Sequence, residues 1–434
     1  CCPVYRASPR PAGGTMNAVE ELRKTLHPKL QAVLEKRGFD DFSEIQLRAI
    51  PELIKGTNAI IIAPTGSGKT ESALLPVFHN MLSKAHPEGF TALYITPLRS
   101  LNRDMMNRLE WWGKELGIRI AVRHGDTTQN DRRKQATHPP DLLITTPESI
   151  QAMFMGKVLR KHLAGVRYVI VDEIHELAAS KRGCQLSVAL ERIDELAGNF
   201  QRIGISATVG NPELVGEFLC GKRPCQVVAV PVAKTLDLSV RFAGEGFGEQ
   251  VKLIEKCIDS HTSTLVFTNT RSVAEAIGNA FSAREDIDVH HGSLSREVRV
   301  DAEDRFRNGL TRGMICTSSM ELGIDIGQID HVVQFNSPRE VARMMQRTGR
   351  AGHRIGAASK GMILATGFDD ILESMVIVRL ASDNRPENVR PHMNPADVIA
   401  NQIAALAVER GEISIENIER IFSRCYCFAD AGSL

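Results

Sequence analysis

Short apolar runs alternate along the chain with stretches in which apolar residues recur every three or four positions. The first run, Ala59–Ile62, is apolar throughout, as expected for a strand buried on both faces of a parallel sheet. Comparable runs follow at 91–95, 118–122, 142–144, 169–171 and 203–205. Because helical stretches separate these runs, this part of the chain is predicted to form a doubly wound, mostly parallel α/β sheet.

A second series of short apolar runs predicts a second α/β domain. These runs lie at 264–267, 288–290, 314–316, 331–335 and 361–365, with helical stretches at 272–283 and 297–306. The segment 225–242 between the two series is rich in β-branched residues and contains Pro231. We interpret this segment as the passage between the two domains.

Helical patterns also lie outside the two series. One helical segment is predicted from Met16 to Gly38, and a second is predicted at 43–54, where Ser43 is a capping residue. Near the other end, 394–407 and 414–422 predict two short helices joined at Gly411. Such a pair is typical of the start of a helix-turn-helix or winged helix, and the alternative is a buttress for the second domain.

These patterns predict four regions. Residues 1–15 have no apolar core and are expected to be a disordered tail or an expression remnant. The remaining regions are a first α/β domain, a second α/β domain and a partial winged-helix region, predicted at 16–230, 231–392 and 393–434.

Residues 63–70, with the sequence APTGSGKT, connect the first predicted strand to a helix. Small residues let the backbone approach a polyphosphate, and the helix N-terminus offers unpaired N–H groups. Lys69 is predicted to reach the β- and γ-phosphates, and the Thr70 hydroxyl to hold Mg²⁺. Ala63 stands where the strict phosphate-loop pattern has glycine, so a glycine-rich connection without a ligand is the alternative. The predicted cradle consists of Thr65, Gly66, Ser67 and Gly68.

Two carboxylates follow the predicted strand at 169–171. Hydrolysis of a phosphoanhydride requires an acidic residue for the metal ion and a group that orients the attacking water. We assign Asp172 to the metal ion and Glu173 to the water. His175, two residues later, receives no role from this argument alone.

Composition narrows the class of protein. An apolar fraction of 43% and a charged fraction of 24% are ordinary for a soluble globular protein, and no apolar run has the length of a membrane span. A net charge of +1 means that any binding to a polyanion must use local basic tracks. The nine cysteines include no Cys-x-x-Cys pair, which favours structural thiols in a reducing cytoplasm.

Arginines recur at helical intervals in two places. Like charges three or four residues apart repel on a solvated helix, and a nearby anion would remove that penalty. We therefore predict sequence-independent, salt-sensitive contacts with phosphates, although a solvated basic face is the alternative. The longer series is Arg339, Arg343, Arg347, Arg350 and Arg354, and the shorter is Arg99, Arg103 and Arg108.

Several motifs follow one another in an order that resembles the superfamily 2 helicase motor. They are GSGKT at 66–70, DEIH at 172–175, SAT at 206–208, FTNTR at 267–271, TSSMELGID at 317–325 and QRTGR at 346–350. The resemblance extends from Gln46 to Arg354. It implies two tandem RecA-like domains that hydrolyse ATP between them.

The resemblance also implies residue roles. Gln46 is expected to read adenine, Gly323 and Asp325 to contact the nucleotide, and Arg350 to be the arginine finger. Arg354 is expected to share that task, because His353 stands where many relatives have the second arginine. The expected coupling residues are His175, Ser206, Thr208 and Gln346. The expected nucleic-acid contacts are Thr96, Pro97, Arg99, Arg103, Thr146, Thr268, Asn269, Arg271, Thr317 and Ser318.

A narrower resemblance is to the Lhr (large helicase-related) family. It rests on DEIHEL at 172–177, KRG at 181–183, SATVGNP at 206–212, HHGSLS at 290–295 and GRAGHR at 349–354. It implies an ATP- and Mg²⁺-dependent DNA translocase of 3′ to 5′ polarity, linked to DNA repair, with a winged helix after the motor.

The expected partners are single-stranded DNA and tailed or forked duplexes, with RNA–DNA hybrids as a further substrate. The core is expected to act as a monomer in the cytoplasm, associated with the nucleoid and not with a membrane. Two alternatives stay open at this point. One is a helicase for RNA or RNA–DNA hybrids, and the other is an ATP-gated nucleic-acid clamp without net unwinding.

Overall fold

A computed structural model describes most of the chain, namely residues 15–39, 41–64, 66–86, 88–97, 99–230, 236–321, 329–351 and 359–429. The side chains of 15–17 and 99–104 fall outside this description. Within the described residues, no helix combines the length and apolarity that crossing a bilayer requires.

The first domain is built on a sheet of seven parallel strands in the order β3-β4-β2-β5-β6-β1-β7. Alternate residues of the central strands face two separate hydrophobic clusters, so helices cover both faces of the sheet. The strands are β1 (Ala59–Ile62), β2 (Ala92–Ile95), β3 (Ile120–Arg123), β4 (Leu142–Thr145), β5 (Tyr168–Val171), β6 (Gln201–Ser206) and β7 (Gln226–Ala229).

Among the described residues, eleven helices belong to the first domain. They are α1 (Thr15–Thr25), α2 (Pro28–Lys36), α3 (Glu44–Ile54), α4 (Lys69–Ser83), α5 (Arg99–Leu116), α6 (Gln129–Thr137), α7 (Pro147–Met155), α8 (Lys157–Leu163), α9 (Ile174–Ala178), α10 (Lys181–Ala197) and α11 (Pro212–Cys220). The single helix predicted from Met16 to Gly38 is wrong, because the chain breaks into α1 and α2. His27 caps α2 in an extended conformation, and Pro28 takes the first helical position, where its missing N–H costs nothing.

The second domain is built on a six-stranded parallel sheet in the order β10-β11-β9-β12-β13-β8. Its strands are β8 (Leu236–Phe242), β9 (Thr264–Phe267), β10 (Ile287–His290), β11 (Gly313–Cys316), β12 (His331–Phe335) and β13 (Ser359–Ala365). Its helices are α12 (Phe247–Asp259), α13 (Arg271–Ala280), α14 (Arg296–Arg307), α15 (Val341–Thr348) and α16 (Phe368–Ser382). The predicted class of two tandem doubly wound α/β domains is confirmed.

The segment 225–242 is more than a passage between the domains. It contains β7 and β8, which are edge strands of the first and the second sheet. In β8 half-buried positions alternate with exposed ones, so the segment lacks the continuous buried apolar run that marks the central strands. The interpretation as a plain linker is therefore wrong for these two stretches.

The last described segment packs on the first domain. It forms α17 (Ala396–Arg410) and α18 (Ile415–Phe422), whose buried residues join the hydrophobic cluster under α10. Ion pairs reinforce the contact, since Arg410 lies 2.6 Å from Glu195 and Arg424 lies 3.1 Å from Glu191. The alternative of a buttress for the second domain is wrong, and the winged helix stays a prediction.

This packing predicts that residues 394–429 stabilise the first domain. Phe422 is 1% exposed and its ring lies 5.0 Å from that of Phe428. Replacing Phe422 with Ala leaves a cavity, which we expect to lower the free energy of unfolding by about 3–5 kcal/mol in urea titrations. Ile415→Ala, on the same helix but 70% exposed, is the matched control and should change it by less than about 0.5 kcal/mol. Equal, small effects would contradict the packing.

Candidate nucleotide site and interdomain cleft

The loop between β1 and α4 is shaped by two glycines and held by the start of α3. Gly66 and Gly68 have φ angles of +77° and +87°, in the left-handed region that glycine adopts without strain. The Ser43 hydroxyl donates to the Ser67 carbonyl at 2.8 Å, and Gln46 Nε2 donates to the Gly68 carbonyl at 3.3 Å. A Cβ on Gly68 would lie 2.3 Å from Gln46 Nε2, so a larger residue would displace the Gln46 amide as well as strain the backbone. The predicted adenine reader therefore also supports the phosphate loop.

Lys69 lies on the loop beside two carboxylates. Its Nζ donates to the carbonyls of Ala63 at 2.5 Å and Pro64 at 3.0 Å. Burial lowers the pKa of Lys69, while the negative charges of Asp172 and Glu173 act in the opposite direction. A cation buried in this position can stabilise a polyphosphate without competition from bulk water. Thr70 follows it in the first turn of α4, and Thr65 lies outside the described residues.

Asp172 and Glu173 stand at the carboxyl end of β5 with different surroundings. Asp172 accepts a hydrogen bond from the Tyr94 hydroxyl at 2.7 Å and from the Glu173 N–H at 2.9 Å. Burial and the neighbouring Glu173 raise the pKa of Asp172 to about 6. A bound cation would offset both effects, which fits the predicted metal role. Tyr94 was missed because it reads as one more apolar residue of β2.

Glu173 has a left-handed backbone, with φ of +46° and ψ of +44°. This conformation costs a non-glycine residue about 1–2 kcal/mol, and such strain concentrates at functional sites. Among the described residues, nothing forms a hydrogen bond with its buried Oε2 atom. A carboxylate oxygen with free lone pairs beside Lys69 and Asp172 is suited to accept a proton from water.

Three predicted coupling residues form one chain of hydrogen bonds across the two domains. His175 Nδ1 lies 3.1 Å from Ser206 Oγ, and its Nε2 lies 2.7 Å from Gln346 Nε2 of the second domain. Burial lowers the pKa of His175, which favours the neutral ring. A ring protonated on Nδ1 then donates to Ser206 and accepts from Gln346. Thr208 is partly buried just beyond Ser206 and stands outside this chain.

Arg350 brings a positive charge from the second domain to the phosphate loop. Its side chain is 5% exposed, and its Nε and Nη2 donate to the Glu321 carbonyl at 3.1 and 2.6 Å. The positive charge of Arg350 contributes to lowering the pKa of Lys69, so the two side chains act on each other across the domain boundary. An anion between them would relieve their repulsion. The expected partners Arg354, Gly323 and Asp325 lie outside the described residues.

The arginine series does not form a shared anion-binding face. Helix α15 spans only Val341–Thr348, and Arg339 precedes it with a φ of +70°. Most of the described arginines pair with carboxylates instead. These pairs are Arg339–Glu373 at 2.6 Å, Arg343–Glu340 at 3.0 Å, the buried Arg347–Glu321 pair and Arg108–Glu71 at 2.9 Å. The shared-anion interpretation is wrong for these residues, because the spacing of the arginines does not reveal the carboxylates with which they pair, nearby for Arg343 and in distant segments for the others.

A cleft of about 1160 Å³ runs between the two domains. Both domains contribute basic side chains to its lining, namely Arg132, Arg182, Arg271, Arg296 and Arg299. Nε of Arg299 is buried without an acceptor in the part of the chain that the structure describes. A groove of this size, with cations on both walls, can hold the phosphates of a nucleic-acid strand.

Five of the predicted nucleic-acid contacts line this cleft. They are Pro97, Thr146, Arg271, Thr317 and Ser318. Thr96 is completely buried, and the Thr268 hydroxyl donates to the Thr270 carbonyl at 3.0 Å. Asn269 donates to the Ser337 carbonyl at 2.8 Å. As strand contacts the buried Thr96 and Thr268 are corrected to supporting residues, whereas the exposed Asn269 stays a prediction, and the side chains of Arg99 and Arg103 lie outside the described residues.

Several lining residues were missed by the sequence interpretation. Arg296 and Arg299 follow the capping residue Ser295 three positions apart, a spacing that places both on one face of α14. Arg182 donates to the Pro97 carbonyl at 2.7 Å and pairs with Glu148 at 2.5 Å, so it also holds the loop after β2. The two arginines in the first turn of α14 could have indicated a phosphate-binding surface from the sequence alone.

The matches with known proteins agree with this arrangement. Residues 43–215 match the DEAD/DEAH box helicase family, and residues 249–356 match the helicase conserved C-terminal domain. The fold and the two-domain site therefore define a superfamily 2 helicase motor with RecA-like domains. Within that class, the chain belongs to the Lhr family.

Three relatives illustrate the similarity to the Lhr family. The ATP-dependent helicase Lhr-Core of Methanothermobacter thermautotrophicus is 37% identical over 94% of this chain and 51% of that protein. The Lhr helicase/uracil glycosylase of Escherichia coli is 34% identical over 86% of this chain and 29% of that protein. The structure of Mycobacterium smegmatis helicase Lhr bound to ssDNA and AMP-PNP superposes with a TM-score of 0.85 at 34% identity, covering 94% of this chain and 56% of that chain. This chain thus spans about half the length of the first curated relative.

The geometry of Gly68 predicts a sharp effect on nucleotide binding. Gly68→Ala combines a strained backbone with a clash against the Gln46 amide, so either the loop or its support by Gln46 must change. We expect the Kd for a fluorescent ATP analogue to rise at least about tenfold, because a left-handed alanine costs about 1–2 kcal/mol before the clash is counted. Gly38→Ala is the matched control, with a φ of +67° and no atom within 4 Å of its Cβ. An unchanged Kd in Gly68→Ala would contradict the proposed cradle.

Proposed function

We propose that this chain is an ATP-driven motor that couples ATP hydrolysis to 3′ to 5′ movement along single-stranded DNA. The observation that carries the proposal is the composition of the site. Lys69, Asp172 and Glu173 belong to the first domain, Arg350 of the second domain contributes to the lowered pKa of Lys69, and the His175–Gln346 hydrogen bond joins the two domains two residues from Glu173. Because neither domain holds all four groups, hydrolysis depends on how the two domains are placed.

Each residue has a defined task in hydrolysis. Lys69 binds the terminal phosphates, and the Glu173 carboxylate orients the attacking water and takes its proton. Arg350 stabilises the negative charge that develops on the transferred phosphoryl group, a contribution of about 10³ to 10⁵ in rate for arginine fingers in general. Thr70 and Asp172 would hold Mg²⁺, which neutralises charge on the phosphate oxygens.

The hydrogen-bonded chain from Ser206 through His175 to Gln346 supplies the coupling. His175 follows the catalytic carboxylates by two residues, whereas Gln346 lies on the helix that leads to Arg350. A change in the nucleotide site therefore alters the contact between the domains. Repeated closing and opening moves the two walls of the cleft relative to each other, and with them the bound strand.

The cleft supports binding that is independent of base sequence. Its arginines and hydroxyls suit phosphate oxygens, and contacts with phosphates position a strand without reading it. We propose single-stranded DNA and tailed or forked duplexes as substrates, with RNA–DNA hybrids as a further one. The single-stranded DNA in the structure of the Mycobacterium smegmatis relative favours DNA over RNA.

The remaining assignments follow from the family resemblance. We propose the domain boundaries 16–230, 231–392 and 393–434, the last being part of a winged helix. We further propose that the core acts as a monomer, in DNA repair, in the cytoplasm near the nucleoid. An ATP-gated clamp is the second candidate, because the buried hydrogen bond between Gln346 and His175 also suits two domains that close and stay closed.

Two substitutions test the hydrolytic assignment. Lys69→Ala removes the phosphate cation, and Glu173→Gln removes the base while keeping the size of the side chain. Both are expected to reduce DNA-stimulated ATP hydrolysis at least about 100-fold, since general-base catalysis alone contributes about 10² to 10⁴. Glu173→Gln should still bind ATP, whereas Lys69→Ala should bind it weakly. Wild-type hydrolysis rates in both variants would refute the site.

Unwinding of tailed duplexes tests the polarity and the substrate. Duplexes with a 3′ or a 5′ tail, made of DNA or RNA on the tracking strand, are compared at equal ATP hydrolysis. We expect displacement only with a 3′ DNA tail. Preference for an RNA tracking strand would favour the RNA helicase, and hydrolysis without displacement on any substrate would favour the clamp.

The salt dependence of binding tests the cleft. Arg296→Ala should weaken single-stranded DNA binding equally for different sequences and lower the slope of log K against log salt by about 0.7, the loss of one phosphate contact on a single strand. Arg307→Ala removes an arginine from the other end of the same helix, where it pairs with Asp304, and serves as the control. Identical salt slopes in both variants would place the strand elsewhere.

A further inference from the structure

Residues 385–389, which we call the strap, lead from α16 back to the first domain. The strap lies between the end of α16 at Ser382 and the start of α17 at Ala396. Its backbone and one of its side chains contact both domains. It therefore forms an interdomain contact separate from the His175–Gln346 hydrogen bond.

On the first domain the strap contacts the loop that follows Ser206. The Gly210 N–H donates to the Glu387 carbonyl at 3.1 Å. Asn211 makes two hydrogen bonds with the backbone of Val389, at 2.9 and 2.7 Å. A Cβ on Gly210 would lie 2.4 Å from Asn388 Oδ1 and 3.0 Å from the Glu387 carbonyl, so the two segments touch without space for a side chain.

On the second domain the strap contacts the start of α15. The Glu387 carboxylate accepts from the N–H groups of Val341 at 2.6 Å and Ala342 at 3.0 Å. These are orphan donors of the first turn, and a negative charge there is favourable to the helix dipole. The N-cap residue Glu340 makes no side-chain cap of its own. Glu387 thus caps α15 from a different part of the chain.

The position of α15 determines where two functional groups lie. Gln346 stands in this helix, and Arg350 follows two residues after its end. The same carboxylate residue is held by its backbone to the loop of the predicted coupling element. A movement of that loop is therefore transmitted through the strap to the helix that positions Arg350.

We propose that Glu387 is a positioning residue that couples the loop after Ser206 to the arginine-finger helix α15. This inference rests on the proposed function, since it concerns the timing of Arg350. The alternative is that Glu387 is a local helix cap, which stabilises α15 without affecting ATP hydrolysis or unwinding. The two differ in what they predict for coupling, because a local cap changes stability alone.

Two substitutions each disrupt one of the two contacts that the strap makes. Glu387→Ala removes the contact with α15, and Gly210→Ala forces the first-domain loop away from the strap. Glu387→Gln keeps an acceptor for the N–H groups without the charge. Glu416→Ala, which removes an acidic residue from the first turn of α18, is the control for losing a helix-end carboxylate elsewhere.

The measurements are the kcat and KM of DNA-stimulated ATP hydrolysis, the base pairs unwound per ATP and the Tm. For Glu387→Ala we expect kcat to fall about five- to tenfold, because loss of a helix cap costs about 1 kcal/mol and misplaces a catalytic group. KM for ATP should change less than about twofold, since Lys69 and the phosphate loop are untouched. Fewer base pairs should be unwound per ATP, and Glu387→Gln should recover part of the loss.

A double-mutant cycle gives the sharpest outcome. If both contacts of the strap belong to the same coupling, Glu387→Ala should add little to the loss of kcat that Gly210→Ala already causes. Additive losses, or a lower Tm with unchanged kcat and coupling, would overturn the inference while wild-type hydrolysis and unwinding stand. Absence of hydrolysis in the wild-type protein would instead refute the proposed function itself.

Discussion

The proposed nucleotide site depends on charged side chains that come from two different sheets. Lys69 and the two carboxylates after β5 come from loops at the carboxyl ends of one parallel sheet, where such loops always meet. Arg350 comes from a different sheet, and its positive charge acts on Lys69. Asp172 and Glu173 already offset part of the charge of Lys69, and a polyanion bound at the loop would offset more of it. The proposed site therefore links nucleotide binding to the placement of the two domains.

Local chemistry made half of this site predictable from the sequence. The phosphate loop and the acidic pair are each contained in a few consecutive residues, and their strands are uniformly apolar, so both the elements and the roles were accessible. Thr96 and Thr268 were assigned incorrectly because a hydroxyl in a motif looks the same whether it faces a cleft or a neighbouring carbonyl. Only the tertiary contacts distinguish the two cases.

Long-range pairing explains the other errors. The arginines near α15 find carboxylates that are separated from them by tens of residues in some cases, as with Arg347 and Glu321. Edge strands such as β8 carry mixed patterns because one side of the strand lacks a neighbour. The helices after 394 were predicted correctly as helices, but their amphipathic pattern does not state which domain they cover.

The return of the chain to the first domain gives the second domain two attachments. The backbone leaves the first sheet after β7, forms the second sheet and returns to pack α17 and α18 on the first domain. A body attached at one point can swing and twist in every direction. A domain attached at two points rotates mainly about the line that joins those points. Rotation about other axes is restricted. Successive openings would then follow nearly the same path, which favours steps of uniform size.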